Sequence, residues 1–150
     1  MAKALQLATK QQDEDRAKLY EIRAKLLVRM EKINEISLSG SNKEEDMGPH
    51  IVHFCYPGMR AEIVIHALEQ HGICISTRSA CASGEIRPSR VLLAMGFNQE
   101  WAQSGLRVSY SVDQSFEEID FFVDCLQQVI QELQLPKRAY EASNQKSRRR

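Results

Sequence analysis

The sequence predicts an α+β fold: a small, mostly antiparallel sheet with helices packed on one side, preceded by a long N-terminal helix. Three observations point there. Residues 3–34 carry no Gly or Pro and repeat apolar side chains at helical spacing from Leu19 onward. Two short segments, "HIVHFCY" at 50–56 and "GLRVSY" at 105–110, carry β-branched and aromatic residues in strand-like patterns. A strongly amphipathic segment, "SFEEIDFFVDCLQQVIQEL", closes the patterned region at 115–133. Helices and strands are interleaved, with too few strands for a sandwich and too many for a bundle.

Each element follows from local chemistry. In the first helix Leu19, Ile22, Leu26, Met30 and Ile33 form one apolar stripe, and Gln, Asp, Glu, Lys and Arg fill the other faces. The helix's first third is weakly apolar and needs a partner surface of its own. "SLSGSNKEEDMGP" at 37–49 reads as a loop, through its Gly, Ser, Asn and Pro. In the strand at 50–56, Val52, Phe54 and Tyr56 share one face, and Ile51, His53 and Cys55 the other. Pro57–Gly58 turns the chain. A helix over 60–72 ends at Gly72, and "ICIS" at 73–76 is a short strand. Pro88 opens a short helix in which Val91, Leu92 and Met95 point inward, and Gly96 stops it. Asn98 caps another over 98–104. In the strand 105–110, Arg107 faces away from Leu106 and Val108. In the last helix Ser115 and Glu118 make a capping box, and Ile119, Phe122, Leu126, Ile130 and Leu133 make the stripe. Residues 136–150, "PKRAYEASNQKSRRR", have no periodicity and hold six Lys/Arg against one Glu. They are expected to be a disordered basic tail. The expected organisation is therefore a long helix at 1–34, a domain at 35–135 and the tail.

Bulk properties narrow the function. The chain's 150 residues suffice for one domain with a core, and 43% hydrophobic with 27% charged residues argues against wholesale disorder. Formal net charge is zero, so no global field recruits nucleic acid or an anionic membrane. No apolar run approaches the roughly 20 residues of a membrane span. The N-terminus is too polar and acidic for a signal peptide, so a cytoplasmic protein is expected. Cys55, Cys74, Cys81 and Cys125 are scattered without a C-x-x-C pair, against a disulfide framework. Their spacing to His50, His53, His66 and His71 matches no common zinc pattern.

Two residues carry candidate chemistry. Cys81 lies in "STRSACASG" (76–84), among small polar residues, in a predicted loop with Arg78, Arg87 and Arg90 nearby in sequence. Cations favour the thiolate, which is the nucleophile, and a mobile loop lets a sulfur atom travel. The same residues also fit an idle exposed cysteine. Arg107 on a strand suits bidentate capture of a carboxylate, and equally fits an ordinary exposed strand arginine. Cys55, Cys74, Cys125, His53 and His66 read as packing or surface residues.

The stretch "STRSACASGEIRPSRVLLAMG" (76–96) resembles the cysteine loop of cysteine desulfurases, pyridoxal-phosphate enzymes of the class V aminotransferase type, and is similar to the long-loop group. "MAKAL" resembles the start of the helix that joins the two domains of those enzymes. "IVHFCYPGMRAEIVIHALEQHGICIS", "SGLRVSY" and "EEIDFFVDCLQQVI" resemble the flanking strands and helices, so the likeness covers roughly residues 1–135 in order. It implies that Cys81 accepts sulfur from L-cysteine as a persulfide and that Arg107 holds the substrate carboxylate. Arg78 departs from the family, where the long-loop group often has glycine. The larger departure is the cofactor. The family holds pyridoxal phosphate on a lysine that follows a histidine in a large domain, and no histidine here precedes a lysine.

The resemblance thus implies the C-terminal small domain alone, with pyridoxal phosphate on a separate large domain and none bound covalently by this chain. Its expected partners are that large domain or an intact desulfurase subunit, L-cysteine, and a sulfur acceptor for iron–sulfur cluster assembly or tRNA thiolation. A non-enzymatic persulfide carrier and an inactive remnant or regulatory binding module remain alternatives.

Overall fold

The computed structural model describes residues 1–41, 43–77 and 88–147, with the backbone alone at 8, 44 and 135–147. Helix α1 (Ala2–Met30) leads into strand β1 (Ser37–Ser39) and a 3-10 turn at Glu44–Asp46. Strand β2 (Ile51–Cys55), helix α2 (Ala61–Glu69) and strand β3 (Ser76–Thr77) follow. Two short helices, α3 (Arg90–Ala94) and α4 (Gln99–Gln103), precede strand β4 (Gly105–Ser109) and helix α5 (Phe116–Ser147). The sheet order is β1-β2-β4-β3, antiparallel at every pairing. β2 and β3 therefore run the same way with β4 between them, a split β-α-β unit closed by the last strand.

Alternation sorts the sheet into two faces. Val52 and Phe54 of β2 stand opposite Val108 and Leu106 of β4, and all four are buried. They meet Ile22, Leu26 and Met30 of α1, Val64 and Leu68 of α2, and Phe122, Leu126 and Ile130 of α5 in one core. Full burial of each such side chain stabilises the fold by about 1.5–3 kcal/mol, so this face carries most of the stability. The long helices all lie on it, as the sequence predicts. On the other face α3 and α4 cover only one end. Leu92 and Ala102 pack on Cys55, with Phe97 stacked on Trp101 at a centroid distance of 5.6 Å.

Predicted end signals are present. Ser115 N–H donates to Glu118 Oε2 at 2.7 Å, and Glu118 N–H donates to Ser115 Oγ at 3.2 Å, a reciprocal capping box. Asn98 Oδ1 accepts from Trp101 N–H at 3.0 Å. Gly72 and Gly96 follow their helices with φ of +73° and +89°, the left-handed conformation that glycine adopts without a Cβ penalty. The apolar stripe of α1 enters the core only at Leu19, while Leu5 and Leu7 stay 69% and 51% exposed. Arg23, on the covered part of α1, donates to the Gly48 and Ile51 carbonyls, and Tyr110 OH donates to the Pro49 carbonyl at 2.7 Å. Together they hold the chain where it enters β2. Lys25 and Arg29 of α1 bind Asp120 of α5 at 2.8 and 2.6 Å.

Several expectations need correction. The loop expected at 37–49 contains β1, because Ser37–Ser39 pairs with His53–Cys55; three residues with one apolar side chain give no local strand signal. The strand expected at 73–76 is Ser76–Thr77. Val91 and Met95 are 59% and 52% exposed, and only Leu92 of α3 points into the fold. Cys74 is exposed, while Cys55 and Cys125 are buried as packing residues. The disordered tail expected from 136 is helical to Ser147. Ala, Glu, Gln, Lys and Arg in that stretch are good helix formers, and the helix already nucleated by packing continues through Pro136 despite the hydrogen bond its missing N–H removes.

Candidate functional site

Arg107 occupies the middle of β4, the strand flanked on both sides. His53 of β2 stands opposite it on one side and Ser76 of β3 on the other. Leu106 and Val108 are buried, so alternation turns Arg107 to the open face, where it is exposed. That face carries a pocket of about 280 Å³ lined by Ser39, Gly40, His53, Ser89, Val91, Leu92, Met95 and Arg107. One wall is apolar, from α3. The sheet side offers a guanidinium, an imidazole and a serine hydroxyl. No carboxylate lines the pocket among the described residues, and Arg107 forms no ion pair with a described residue. A guanidinium on a rigid central strand, beside a cavity without acid, is suited to hold the carboxylate of a small ligand.

The imidazole of His53 is held in place from two directions. Its Nδ1 is hydrogen-bonded to Ser39 Oγ, and the same hydroxyl reaches the His53 carbonyl at 3.2 Å. The Cε1–Nε2 edge of the ring lies over Gly105, where a Cβ would come within 3.0 Å of both atoms. Cys55, two residues on, lies at the covered end of the face. Burial pushes its thiol pKa up, and hydrogen bonds with Ser104 and Ser39 partly offset this. A neutral, covered thiol packs and does not attack.

Cys81 lies outside the described residues, with Arg78 and Arg87. The residues on either side of that stretch are placed. Thr77 pairs with Leu106 next to Arg107. Ser89, which lines the pocket, is tied by its N–H to the Ala102 carbonyl at 2.8 Å. Both attachment points of residues 78–87 therefore belong to the neighbourhood of Arg107.

The described residues do not fit pyridoxal phosphate. Its Schiff base needs a lysine amine and its ring nitrogen an acid, and the Arg107 pocket has neither. Lys25 is bound to Asp120 on the helical side, and Lys43 lines a separate cavity of about 490 Å³ with Arg23 and Glu31. Sequence reasoning singled out Arg107 but passed over His53, Ser39 and Ser89. Alternation puts His53 on the face opposite Phe54; only the register of β2 against β4 puts it beside Arg107.

Comparisons with known proteins bear on family and fold. The cysteine desulfurase IscS of Clostridium botulinum is 34% identical over 133 residues, covering 88% of this chain and 34% of that protein. A NifS/IcsS protein homolog of Lactobacillus delbrueckii subsp. bulgaricus is 33% identical over 131 residues, 87% of this chain and 34% of its own length. Among solved structures, the NifS-like protein of Rickettsia africae superposes with a TM-score of 0.71 at 22% identity, over 83% of this chain and 31% of that one. Another NifS-like protein gives a TM-score of 0.72 at 23% identity, over 87% and 32%. The chain thus spans about a third of the length of the curated relatives it matches. The aminotransferase class-V profile matches residues 1–122, and the chain belongs to that family, as a homologue of its cysteine desulfurases.

Proposed function

We propose that this chain is the sulfur-accepting and carboxylate-binding portion of a cysteine desulfurase. Arg107 holds the carboxylate of L-cysteine, and Cys81 takes the sulfur as a persulfide for an acceptor in iron–sulfur cluster assembly or tRNA thiolation. Pyridoxal phosphate belongs to a large domain outside the 150 residues and supplies the electron sink for carbon–sulfur cleavage. The observation that carries this reading is Arg107 itself, on the central strand, lining a small cavity to which no carboxylate of the described residues contributes, with Thr77 paired beside it and Ser89 in the same lining. A reducing, cytoplasmic setting accords with the free thiols of Cys55, Cys74 and Cys125.

The test mixes the chain with a cofactor-bearing large domain of a desulfurase, L-cysteine and a reductant, and measures sulfide. Sulfide should appear with the unaltered chain, vanish with Cys81→Ser, and demand far more L-cysteine with Arg107→Lys. A folded pair that binds L-cysteine and releases no sulfide overturns the desulfurase reading. A second reading is a carrier that receives sulfur ready-made. Its mark is a gain of one sulfur atom on Cys81 from a persulfide donor without any cofactor, read by mass spectrometry.

A further inference from the structure

We propose that Val91 and Met95 are specificity residues. Together they form the surface on which the ligand's side arm packs, so the Arg107 pocket takes a short carboxylate ending in a thiol or methyl group in preference to its hydroxyl counterpart. The inference rests on reading Arg107 as the carboxylate clamp. It deepens that reading by naming the side chains that tell L-cysteine from L-serine.

The wall stands where a protein surface ordinarily carries polar side chains. Val91 and Met95 are large apolar residues, yet each is more than half exposed. Their spacing of four sets them one above the other on a single helical face, and the Met95 N–H donates to the Val91 carbonyl at 2.9 Å, which continues the turn. Both line the cavity that Arg107 lines. Leu93 is exposed as well but has no part in that lining. The wall is also fixed relative to the sheet. Leu92, between the two, is anchored on Cys55 and Ala102. The Ser89 N–H donates to the Ala102 carbonyl at 2.8 Å, and the Phe97 N–H donates to the Leu92 carbonyl at 3.0 Å, so α3 is tied at both ends.

The polar groups of the lining have partners within the protein. Ser39 Oγ is hydrogen-bonded to His53 Nδ1 and to the His53 carbonyl, and Ser89 Oγ accepts from the Leu92 N–H at 3.2 Å. Arg107 and the two apolar side chains share one cavity of about 280 Å³, so an acid held at the guanidinium lays its arm along α3. A thiol there behaves as a small apolar group with a weak donor. A hydroxyl gives up hydration against methyl and thioether groups without a dedicated partner in return. Two side chains on an open wall discriminate by about the burial of one methylene, which is threefold to tenfold in affinity. That is below the roughly hundredfold limit of closed apolar pockets toward a hydroxyl isostere.

The experiment uses the complete chain and three acids of equal length: 3-mercaptopropionate, butyrate and 3-hydroxypropionate. They differ only in the terminal thiol, methyl or hydroxyl group. Dissociation constants are measured by NMR at about pH 7, where each carries one carboxylate and the thiol is neutral. The thiol and methyl acids should bind about equally, and each about threefold to tenfold more tightly than the hydroxyl acid. Val91→Thr combined with Met95→Gln, which keeps the volume but makes the wall polar, should bring all three within about twofold of one another. Met95→Leu should keep the preference, and so should Leu93→Gln, a polar change outside the lining. Arg107→Gln should lose binding of all three. Equal affinities in the unaltered chain, or a preference that survives the Val91 and Met95 changes or disappears with Leu93→Gln, overturn the role of this wall and leave the clamp standing. Binding indifferent to Arg107→Gln, or no binding of any of the acids, overturns the clamp and this inference with it.

Discussion

Replacing Gly105 with alanine tests how tightly the site is built. Gly105 is not among the glycines with positive φ, so an L-residue suits the backbone and the cost is steric. The added Cβ would lie 3.0 Å from His53 Cε1 and Nε2 and 3.2 Å from Leu92 Cδ1. Ordinary contacts of this kind run at about 3.5–4.0 Å, so three atoms overlap by roughly half an ångström. Neither neighbour yields easily, because Ser39 holds the imidazole and Leu92 is buried against Cys55 and Ala102. Overpacking of this kind costs about 1–3 kcal/mol. The alanine also restricts the unfolded chain, which returns about 0.4–1 kcal/mol. The net loss is about 1–2 kcal/mol, or about 2–8 °C in Tm for a chain of this size. Thermal and urea unfolding would measure it. The diagnostic is the cycle with His53→Ala. If the imidazole is the main thing the Cβ strikes, the two changes couple by about 1 kcal/mol and Gly105→Ala costs less in the ring-less background, where only the Leu92 contact remains. Gly96→Ala is the control. Its φ of +89° makes an L-residue cost about 1–2 kcal/mol, but nothing lies within 4 Å, so its cost should not depend on His53. An unchanged Tm for Gly105→Ala, or an equal cost in both backgrounds, would refute the steric account of the site.

Other perturbations probe the frame. Leu26→Ala, at a fully buried α1 position in the shared core, should cost about 2–5 kcal/mol in urea unfolding. Ser115→Ala should cost about 1 kcal/mol, because the Glu118 N–H loses its acceptor. The Asp120 carboxyl is held below the usual range by hydrogen bonds from Lys25 first and then Arg29. Its contribution is therefore present above the ordinary carboxylate pKa of about 3.9 and is lost as pH falls through the lowered native value. Asp120→Asn should flatten the acid limb of the stability profile. In a Cys81→Ser chain, native thiol labelling followed by mass spectrometry should find Cys74 reacting quickly and Cys55 and Cys125 reacting only on unfolding.

The parts of the fold legible in the sequence are those specified by neighbours along the chain. The capping box at Ser115 and Glu118, the Asn98 cap, the glycine stops at Gly72 and Gly96 and the stripe from Leu19 depend on spacings of three or four residues, and each is present. What the sequence hides depends on partners far away. β1 exists because β2 offers it a ladder, and its own three residues do not announce a strand. Val91 and Met95 look like core residues on α3. They stay half open because only one side of so short a helix touches the sheet, and the rest lines the pocket.

The site divides along the same line. Alternation with Leu106 and Val108 is enough to turn Arg107 outward, so its exposure follows from three consecutive residues. Its partner does not. His53 lies 54 positions earlier, from 107 − 53, and looks like any strand histidine until the β2–β4 register sets it opposite the guanidinium. Gly105 is equally silent: in sequence it is a glycine opening a strand, and in space it is the gap into which the imidazole edge fits. A one-residue slip of β2 against β4 would turn Phe54 outward and His53 into the core. The apolar burial of Phe54 and Val52 against Leu106 and Val108 therefore enforces the polar pairing on the opposite face. The hydrophobic core is what holds the imidazole beside the guanidinium, so a variant that loosens this register should lose the Arg107 pocket before it loses the helices.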